Sequence, residues 1–227
     1  MGYGYFIYDL DGTVLDTSPG ILATLRQTEE VLGIAPLPFE TLLKFVGPPL
    51  IESFATYYGA NQEQSKLMVD TYRGIYLKTG VTNAKIYDFM TEGLEFARKN
   101  GAKTAIATLK YEKMARLNLD TFGLSGYFDF VAGQREGEEI SKARSIAECL
   151  KALNCTDKSK AVFIGDSRYD GIGAMEAGVD FVPLTYGFGF ADPESLCGIP
   201  FVAKAAAPKN LFDFIVATCQ KQEVLHV

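Results

Sequence analysis

The chain has 227 residues, of which 48% are hydrophobic and 22% charged, a balance typical of a soluble globular protein with a buried core. Its formal net charge is −6 and it contains no basic run, so neither a nucleic-acid partner nor an anionic membrane is expected. No apolar run approaches the roughly 20 residues that span a bilayer. The four cysteines lack C-x-x-C spacing and the single histidine is the penultimate His226, which disfavours a zinc site or a histidine-dependent triad. We expect a cytoplasmic protein with reduced thiols.

The first apolar stretch, YFIYDLDGTVLDT, places Asp9 and Asp11 where a buried strand should end. From these residues alone two interpretations are open. Asp-Gly between apolar residues is typical of a hairpin, whereas side chains at the carboxyl end of a parallel strand are typical of a ligand site. A calcium loop is disfavoured because Val14 and Gly20 stand where such a loop needs glycine and glutamate.

The segment of residues 17–82 shows only helical patterns. Pro19 suits the first position of a helix, and Asn61 and Gln64 have the spacing of a capping box. The paired prolines of VGPPL, residues 46–50, exclude a continuous helix and predict a turn. The sequence therefore predicts a helical insert after the first strand.

The remainder of the chain alternates apolar runs with helical segments. The runs KTAIATL, FDFVAG, KAVFIGD and DFVPLTYG are rich in β-branched and aromatic residues. Ser141 is a candidate N-cap, and Gly178 marks a helix end. YGFGF, residues 186–190, lacks the pattern of a phosphate cradle and is interpreted as a loop. This alternation predicts a parallel α/β sheet.

Later strand ends supply further polar side chains, namely Thr108, Lys142, Asp166 and Asp170. Each also has a structural interpretation. Thr108 can be an ordinary strand residue and Lys142 a solvated lysine, while Asp166 and Asp170 can be a cap and a surface residue of a helix beginning near Ser167. Their occurrence together, each after a strand, favours a common site at one edge of the sheet.

These strand-end residues and their order resemble the haloacid dehalogenase-like hydrolase superfamily, and the chain is most similar to its phosphoglycolate phosphatase-like branch. The resemblance covers essentially the whole chain, and DLDGT and GDSRYD are its specific parts. It implies a Rossmann-like parallel sheet core of residues 1–16 and 83–227, with an inserted all-helical cap domain of residues 17–82.

The resemblance also implies the chemistry. Asp9 would attack phosphorus to form an aspartyl-phosphate, and Asp11 would protonate the leaving oxygen and then activate water. A carboxylate is a competent nucleophile at neutral pH. Lys142 and the Thr108 hydroxyl would stabilise charge on the transferred phosphoryl group.

A magnesium ion belongs to the same expectation, because Mg²⁺ prefers oxygen ligands and offsets charge repulsion between a carboxylate and a phosphate. The resemblance assigns it to Asp9, to the backbone carbonyl of Asp11 and to Asp166. Asp170 would hold these ligands in position without binding the ion itself.

In this family a helical insert closes over the site and excludes water. We expect the VGPPL turn with Gly47, and Lys44 and Arg73 as the nearest cations of the insert, to lie over the leaving group. The alternative is a turn between helices with surface charges.

Two features depart from the family pattern. Leu109 follows the predicted phosphate-binding threonine, where a small polar residue is common. The loop before Lys142 is acidic, and one of its residues Glu136, Glu138 or Glu139 is a candidate partner for the lysine.

The expected activity is magnesium-dependent hydrolysis of a small phosphorylated metabolite, with phosphoglycolate, a nucleoside monophosphate or a sugar phosphate as candidates. A monomer or homodimer is expected. A phosphotransferase similar to β-phosphoglucomutase is disfavoured because the insert has no histidine. A dehalogenase is disfavoured by Asp11. A catalytically retired binding module is disfavoured because clustered carboxylates without a metal would repel one another.

Overall fold

The computed structural model describes residues 2–138, 140–190 and 193–223. Glu139 and His226 lie outside the described residues. The strands are β1 Tyr5–Tyr8, β2 Leu15–Asp16, β3 Lys85–Ile86, β4 Lys103–Tyr111, β5 Phe130–Gln134, β6 Ala161–Gly165 and β7 Asp180–Pro183. The helices are α1 Ser18–Leu32, α2 Phe39–Leu43, α3 Leu50–Tyr58, α4 Gln62–Ile75, α5 Met90–Lys99, α6 Glu112–Thr121, α7 Lys142–Ala152, α8 Arg168–Ala177 and α9 Pro208–Glu223, with a π-helical segment Tyr76–Gly80 after α4.

The central sheet is parallel, with strand order β5-β4-β1-β6-β7. β1 pairs in parallel with both β4 and β6. The hairpin interpretation of the first motif is therefore wrong, and the predicted α/β fold is confirmed. β2 and β3 form a separate antiparallel ladder at the two ends of the helical insert.

Alternation along the strands separates two apolar cores. On β1, Phe6 and Tyr8 belong to one core and Ile7 to the other, and all three are fully buried. Because side chains of a strand point alternately to its two faces, both faces must be covered by helices. Helices α5, α6 and α9 contribute residues to the first core, and α7 and α8 to the second.

The helical insert has a third core, which includes Leu25, Phe45, Phe54 and Tyr72. Met114 of α6 packs into this core as well, so the insert rests on the sheet domain. The boundaries of the cap at residues 17 and 82 stay a prediction. In the described part of the chain, no helix combines the length and the apolar character that crossing a membrane requires.

Local sequence signals for helix ends are confirmed. Asn61 and Gln64 form a reciprocal capping box at the start of α4. Ser141 caps α7 through the backbone N–H of Arg144, and Gly178 ends α8 in the left-handed conformation. The VGPPL residues 46–49 form the predicted turn, between α2 and α3. These caps satisfy helix-end groups that would otherwise lack partners.

Asn61→Ala should lower the free energy of unfolding by about 1 kcal/mol, because the N–H of Gln64 loses its acceptor. Urea denaturation measures this change. Gln62→Ala, in the same helical turn but outside the box, should stay within about 0.5 kcal/mol of the native chain. Equal effects of the two substitutions would contradict the role of the box.

Candidate active site

The site is centred on a buried lysine among carboxylates. Lys142 Nζ lies 2.7 Å from Asp9 Oδ1 and 2.9 Å from Asp170 Oδ1. It also donates to the carbonyl of Ala107 at 3.2 Å. The side chains of Lys142 and Asp9 are each 5% exposed. Asp9 follows β1 and Lys142 begins α7, so the carboxyl edge of the sheet brings together residues far apart in the chain.

The stem of Lys142 passes close to Gly173 on α8. A Cβ atom at Gly173 would lie 2.5 Å from Lys142 Cγ, closer than two carbon atoms can approach. The glycine is therefore required for the lysine to reach Asp9. The side chain that packs against Gly173 is thus a residue of the site.

Asp166 follows β6 and is held by the loop after β7. Its Oδ2 accepts a hydrogen bond from the backbone N–H of Phe188 at 2.6 Å. Its Oδ1 is buried and has no hydrogen-bond donor in the described part of the chain. On the other side, Gly12 has φ +81°, and a Cβ there would lie 2.2 Å from Asp166 Oδ2. YGFGF is a loop as predicted, but its contact with Asp166 was missed.

Asp170 belongs to the same cluster. Ser167 caps α8, and its N–H and hydroxyl donate to Asp170 Oδ2 at 2.9 Å and 2.7 Å. Asp170 is fully buried, so its interpretation as a surface residue of the helix is wrong. Its other oxygen faces Lys142.

The carboxylates fit a small hard cation. Oxygens of Asp9, Asp166 and Asp170 lie within 4.8 Å of one another. Oxygen donors of this kind are the ligands that Mg²⁺ prefers. The buried Asp166 Oδ1 supplies an independent observation, because an acceptor without a donor is costly unless something else satisfies it.

Burial and mutual repulsion raise the carboxyl pKa values. The pKa of Asp9 rises to about 7, since burial and the nearby charges of Asp170 and Asp11 together outweigh the opposing effect of Lys142. The pKa of Asp166 is raised by burial and by Asp170 and Asp9. Burial lowers the pKa of Lys142, but Asp170 and Asp9 outweigh it, so the lysine stays charged.

Asp11 has two partners that the sequence analysis did not identify. Lys110 Nζ lies 2.7 Å from Asp11 Oδ1, with the two side chains 8% and 9% exposed. The Thr17 hydroxyl donates to the same oxygen. Lys110 also donates to the Tyr76 hydroxyl at 3.0 Å, which in turn donates to Asn118 Oδ1 at 3.1 Å. This chain of contacts links Asp11 to the helical insert.

Strand geometry explains the position of Lys110. Thr108 and Lys110 are two residues apart near the end of β4, where alternation places them on one face. The Thr108 hydroxyl accepts the Lys110 N–H at 3.1 Å, and the register with β5 shifts between Ala107 and Tyr111. Alternation makes Lys110 a candidate for the face of Thr108, but its contact with Asp11 depends on the tertiary structure. Nothing in the local sequence points to Tyr76.

A cavity of about 690 Å³ lies between the insert and the sheet domain. Asp11, Gly47, Arg73 and Leu109 are among the residues in its wall. Lys44 is exposed and is not among the described residues that line this cavity.

The acidic loop does not supply a partner for Lys142 among the described residues. Glu138 pairs with Arg144 at 2.7 Å, and Glu136 is exposed. The expected pairing with Glu136 or Glu138 is therefore wrong, because Asp9 and Asp170 already surround the buried ammonium group. Glu136 and Glu138 lie in the cavity wall instead.

A parallel sheet with carboxylates at its carboxyl edge and a helical insert above them defines a class of hydrolases. The family model described as haloacid dehalogenase-like hydrolase matches residues 6–184. The chain belongs to this family, which confirms the family expected from its motifs.

Relatives with assigned names differ in activity. The tyrosine-protein kinase PtkA of Mycobacterium tuberculosis is 33% identical over 189 residues, 82% of this chain but only 63% of that protein. The 5'-nucleotidase of Pseudomonas aeruginosa is 30% identical, over 84% of this chain and 86% of its own length. The phosphoglycolate phosphatase of Caulobacter vibrioides is 30% identical, over 80% and 78%. A crystal structure of a predicted phosphatase from Clostridium acetobutylicum has a TM-score of 0.87 at 30% identity, covering 96% of this chain and 100% of that one.

The stability of the metal-free chain should fall as pH rises from about 4 to about 7. The pKa of Asp9 is about 7 in the folded chain and 3.8 in the unfolded reference, so the folded chain binds the extra proton between these values. In EDTA, the free energy of unfolding should decline by roughly 2 to 4 kcal/mol over this range.

The matched variants are Asp9→Asn, which should reduce this decline and leave the part that belongs to Asp166, and Asp88→Asn, which should keep all of it because Asp88 is 71% exposed. Urea denaturation at each pH gives the free energy of unfolding of the native chain and of each variant. Parallel curves for the native chain and Asp9→Asn would contradict the assignment of the decline to Asp9.

Proposed function

We propose that the chain is a magnesium-dependent phosphatase that hydrolyses small phosphomonoesters through an aspartyl-phosphate at Asp9. The observation that carries this proposal is the buried contact of Lys142 with Asp9 beside Asp166. Relatives named as a nucleotidase and a phosphoglycolate phosphatase support phosphoester hydrolysis. A cytoplasmic location and a monomeric or homodimeric state are part of the proposal.

Asp9 would act as the nucleophile. Lys142 contacts Asp9 Oδ1, which fixes the carboxylate and leaves Oδ2 to attack phosphorus. Lys142 also compensates negative charge as the phosphoryl group arrives. The bond to the leaving oxygen breaks as the aspartyl bond forms. Water then attacks the phosphorus, the bond between phosphorus and Asp9 breaks, and phosphate is released with the Asp9 carboxylate restored.

Magnesium would be held by Asp9 and Asp166, with the backbone carbonyl of Asp11, and Asp170 would keep Lys142 and these ligands in place. When bound, the ion supplies charge neutralisation and orients the phosphate. The hydroxyl of Thr108, a residue that is 2% exposed, would bind a phosphate oxygen beside Lys142.

Asp11 would move the protons. Lys110 and Thr17 both contact Asp11 Oδ1, so the carboxyl group is fixed in one orientation and Oδ2 is left for proton exchange. Oδ2 would first donate a proton to the leaving oxygen. It would then accept one from the attacking water.

The cap would set specificity. Gly47 and Arg73 lie in the cavity wall together with Asp11, so a leaving group released near Asp11 enters the same space. Lys44 is exposed and outside the wall, and we assign it no contact with the substrate.

The two alternatives have less support. A phosphotransferase resembling β-phosphoglucomutase would lack the cap histidine, since the sequence has one histidine and it is His226. A retired binding module would retain Lys142 and the carboxylates without a use. The activity of the mycobacterial kinase is not transferred to this chain, because the match covers 63% of that protein.

Asp9→Asn should abolish magnesium-dependent phosphate release from p-nitrophenyl phosphate and from a metabolite panel, because an amide is not a competent nucleophile here. Phosphate release is measured with Mg²⁺ and with EDTA. Asp88→Asn, an exposed carboxylate, is the control and should retain full activity. Retained turnover in folded Asp9→Asn would contradict the proposed mechanism.

Lys110→Met should lower kcat for alkyl phosphates by at least about tenfold, equivalent to about 1.4 kcal/mol, because Asp11 loses a contact that orients it. Steady-state phosphate release gives kcat. Lys113→Met, an exposed lysine three residues along, should have no effect. A native kcat in Lys110→Met would show that Asp11 does not need this partner.

A further inference from the structure

Arg73 is the arginine of the cavity wall without a charged partner among the described residues. Ion pairs with carboxylates satisfy Arg26, Arg98, Arg116, Arg135 and Arg144. Arg168 donates to the carbonyls of Ser195 and Cys197. Within the described residues, the side chain of Arg73 makes one hydrogen bond, to the neutral amide of Gln134.

The guanidinium group of Arg73 is nevertheless held in place. Its Nη2 donates to Gln134 Oε1 at 3.2 Å, and its Cζ lies 4.5 Å from the ring centroid of Tyr111. Its Nε is buried and has no acceptor in the described part of the chain. Gln134 ends β5 and Tyr111 ends β4, so an arginine of the insert is fixed against the edge of the sheet that carries the site.

A half-buried guanidinium group with an unsatisfied donor is energetically costly. Its planar N–H donors match a carboxylate or a phosphate, which accepts two parallel hydrogen bonds. An anion from the substrate that contacts the terminal N–H groups of Arg73 would therefore compensate its charge.

Other charges of the cavity do not remove this requirement. Lys110 is paired with Asp11. Asp70 and Glu136 also lie in the wall, but both are exposed and neither forms an ion pair with Arg73 within the described residues. Lys66 lies two turns before Arg73 on α4 and adds a second, exposed positive charge to the same wall.

We propose that Arg73 binds a second acidic group on the leaving group, so that the preferred substrates are phosphomonoesters that also carry a carboxylate or a second phosphate. This inference rests on the proposed function, which places the reacting phosphoryl group at Asp9. It disfavours neutral alcohols, including nucleosides and uncharged sugars, as leaving groups. The cavity of about 690 Å³ has room for a leaving group between Asp11 and Arg73.

The test compares compounds that differ in one group. 3-Phosphoglycerate and glycerol 3-phosphate differ only in a carboxylate against a hydroxymethyl group, as do phosphoglycolate and 2-hydroxyethyl phosphate. Ethylene glycol bisphosphate tests the second phosphate. For the native chain, kcat/KM should favour an acidic member over its neutral partner by at least roughly tenfold. The acidic compound with the larger ratio of kcat/KM over its neutral partner shows whether the carboxylate or the second phosphate is the preferred group.

Arg73→Met should reduce kcat/KM for the acidic compound by roughly 10- to 100-fold, mainly through KM, and leave the neutral partner nearly unchanged. Arg73→Lys should recover part of the preference, because it keeps the charge but not the planar donors. Lys78→Met, which removes an exposed cation of the insert outside the cavity wall, should match the native chain. Equal losses of kcat/KM for the acidic and the neutral compound in Arg73→Met would overturn the inference. So would a native chain that does not prefer the acidic compound.

Binding to Asp9→Asn, measured by calorimetry, separates this inference from the proposed function. If no compound releases phosphate, the phosphatase proposal fails. Tighter binding of phosphoglycolate than of 2-hydroxyethyl phosphate, lost in Asp9→Asn/Arg73→Met, would still support the second anion site. Equal binding of the two compounds would overturn it.

Discussion

The buried contact between Lys142 and the carboxylates of Asp9 and Asp170 is the interaction on which the site depends. Placing like charges within 4.8 Å of one another is unfavourable, and burial increases the cost. One ammonium group, held at 2.7 Å and 2.9 Å, compensates only part of that charge. The negative charge that remains explains why the cluster suits a divalent cation. The lysine itself can reach these carboxylates only because Gly173 leaves room for its side chain.

A second buried ion pair connects this cluster to the helical insert. Lys110 contacts Asp11 of the sheet domain and Tyr76 of the insert, and Tyr76 is bonded to Asn118 of α6. A displacement of the insert that moves Tyr76 therefore removes one support of Lys110. Asp11, the proposed proton-transfer group, is thus linked to the insert through a few buried polar contacts, and closing of the proposed cap would act through them.

The sequence predicts the fold because its signals are local. Apolar runs, the Asn61 capping box and the Ser141 cap depend on neighbouring residues, and the structure confirms them. Asp9, Asp166 and Lys142 could be placed together because parallel strands share a carboxyl edge. Lys110 required knowing which face of β4 meets Asp11, and the partners of Tyr76 and Arg73 depend on how the insert packs. Such contacts arise from tertiary structure, and no local pattern encodes them.

The most direct test of the central claim is to trap the covalent intermediate. The chain is mixed with p-nitrophenyl phosphate and Mg²⁺, quenched in acid and reduced with borohydride, which converts an aspartyl-phosphate to homoserine. Mass spectrometry of the N-terminal proteolytic peptide then identifies the residue at position 9. We expect homoserine at Asp9 only when substrate and Mg²⁺ are both present. Phosphate release with Asp9 unmodified, or a phosphoryl adduct at another residue, would contradict the account.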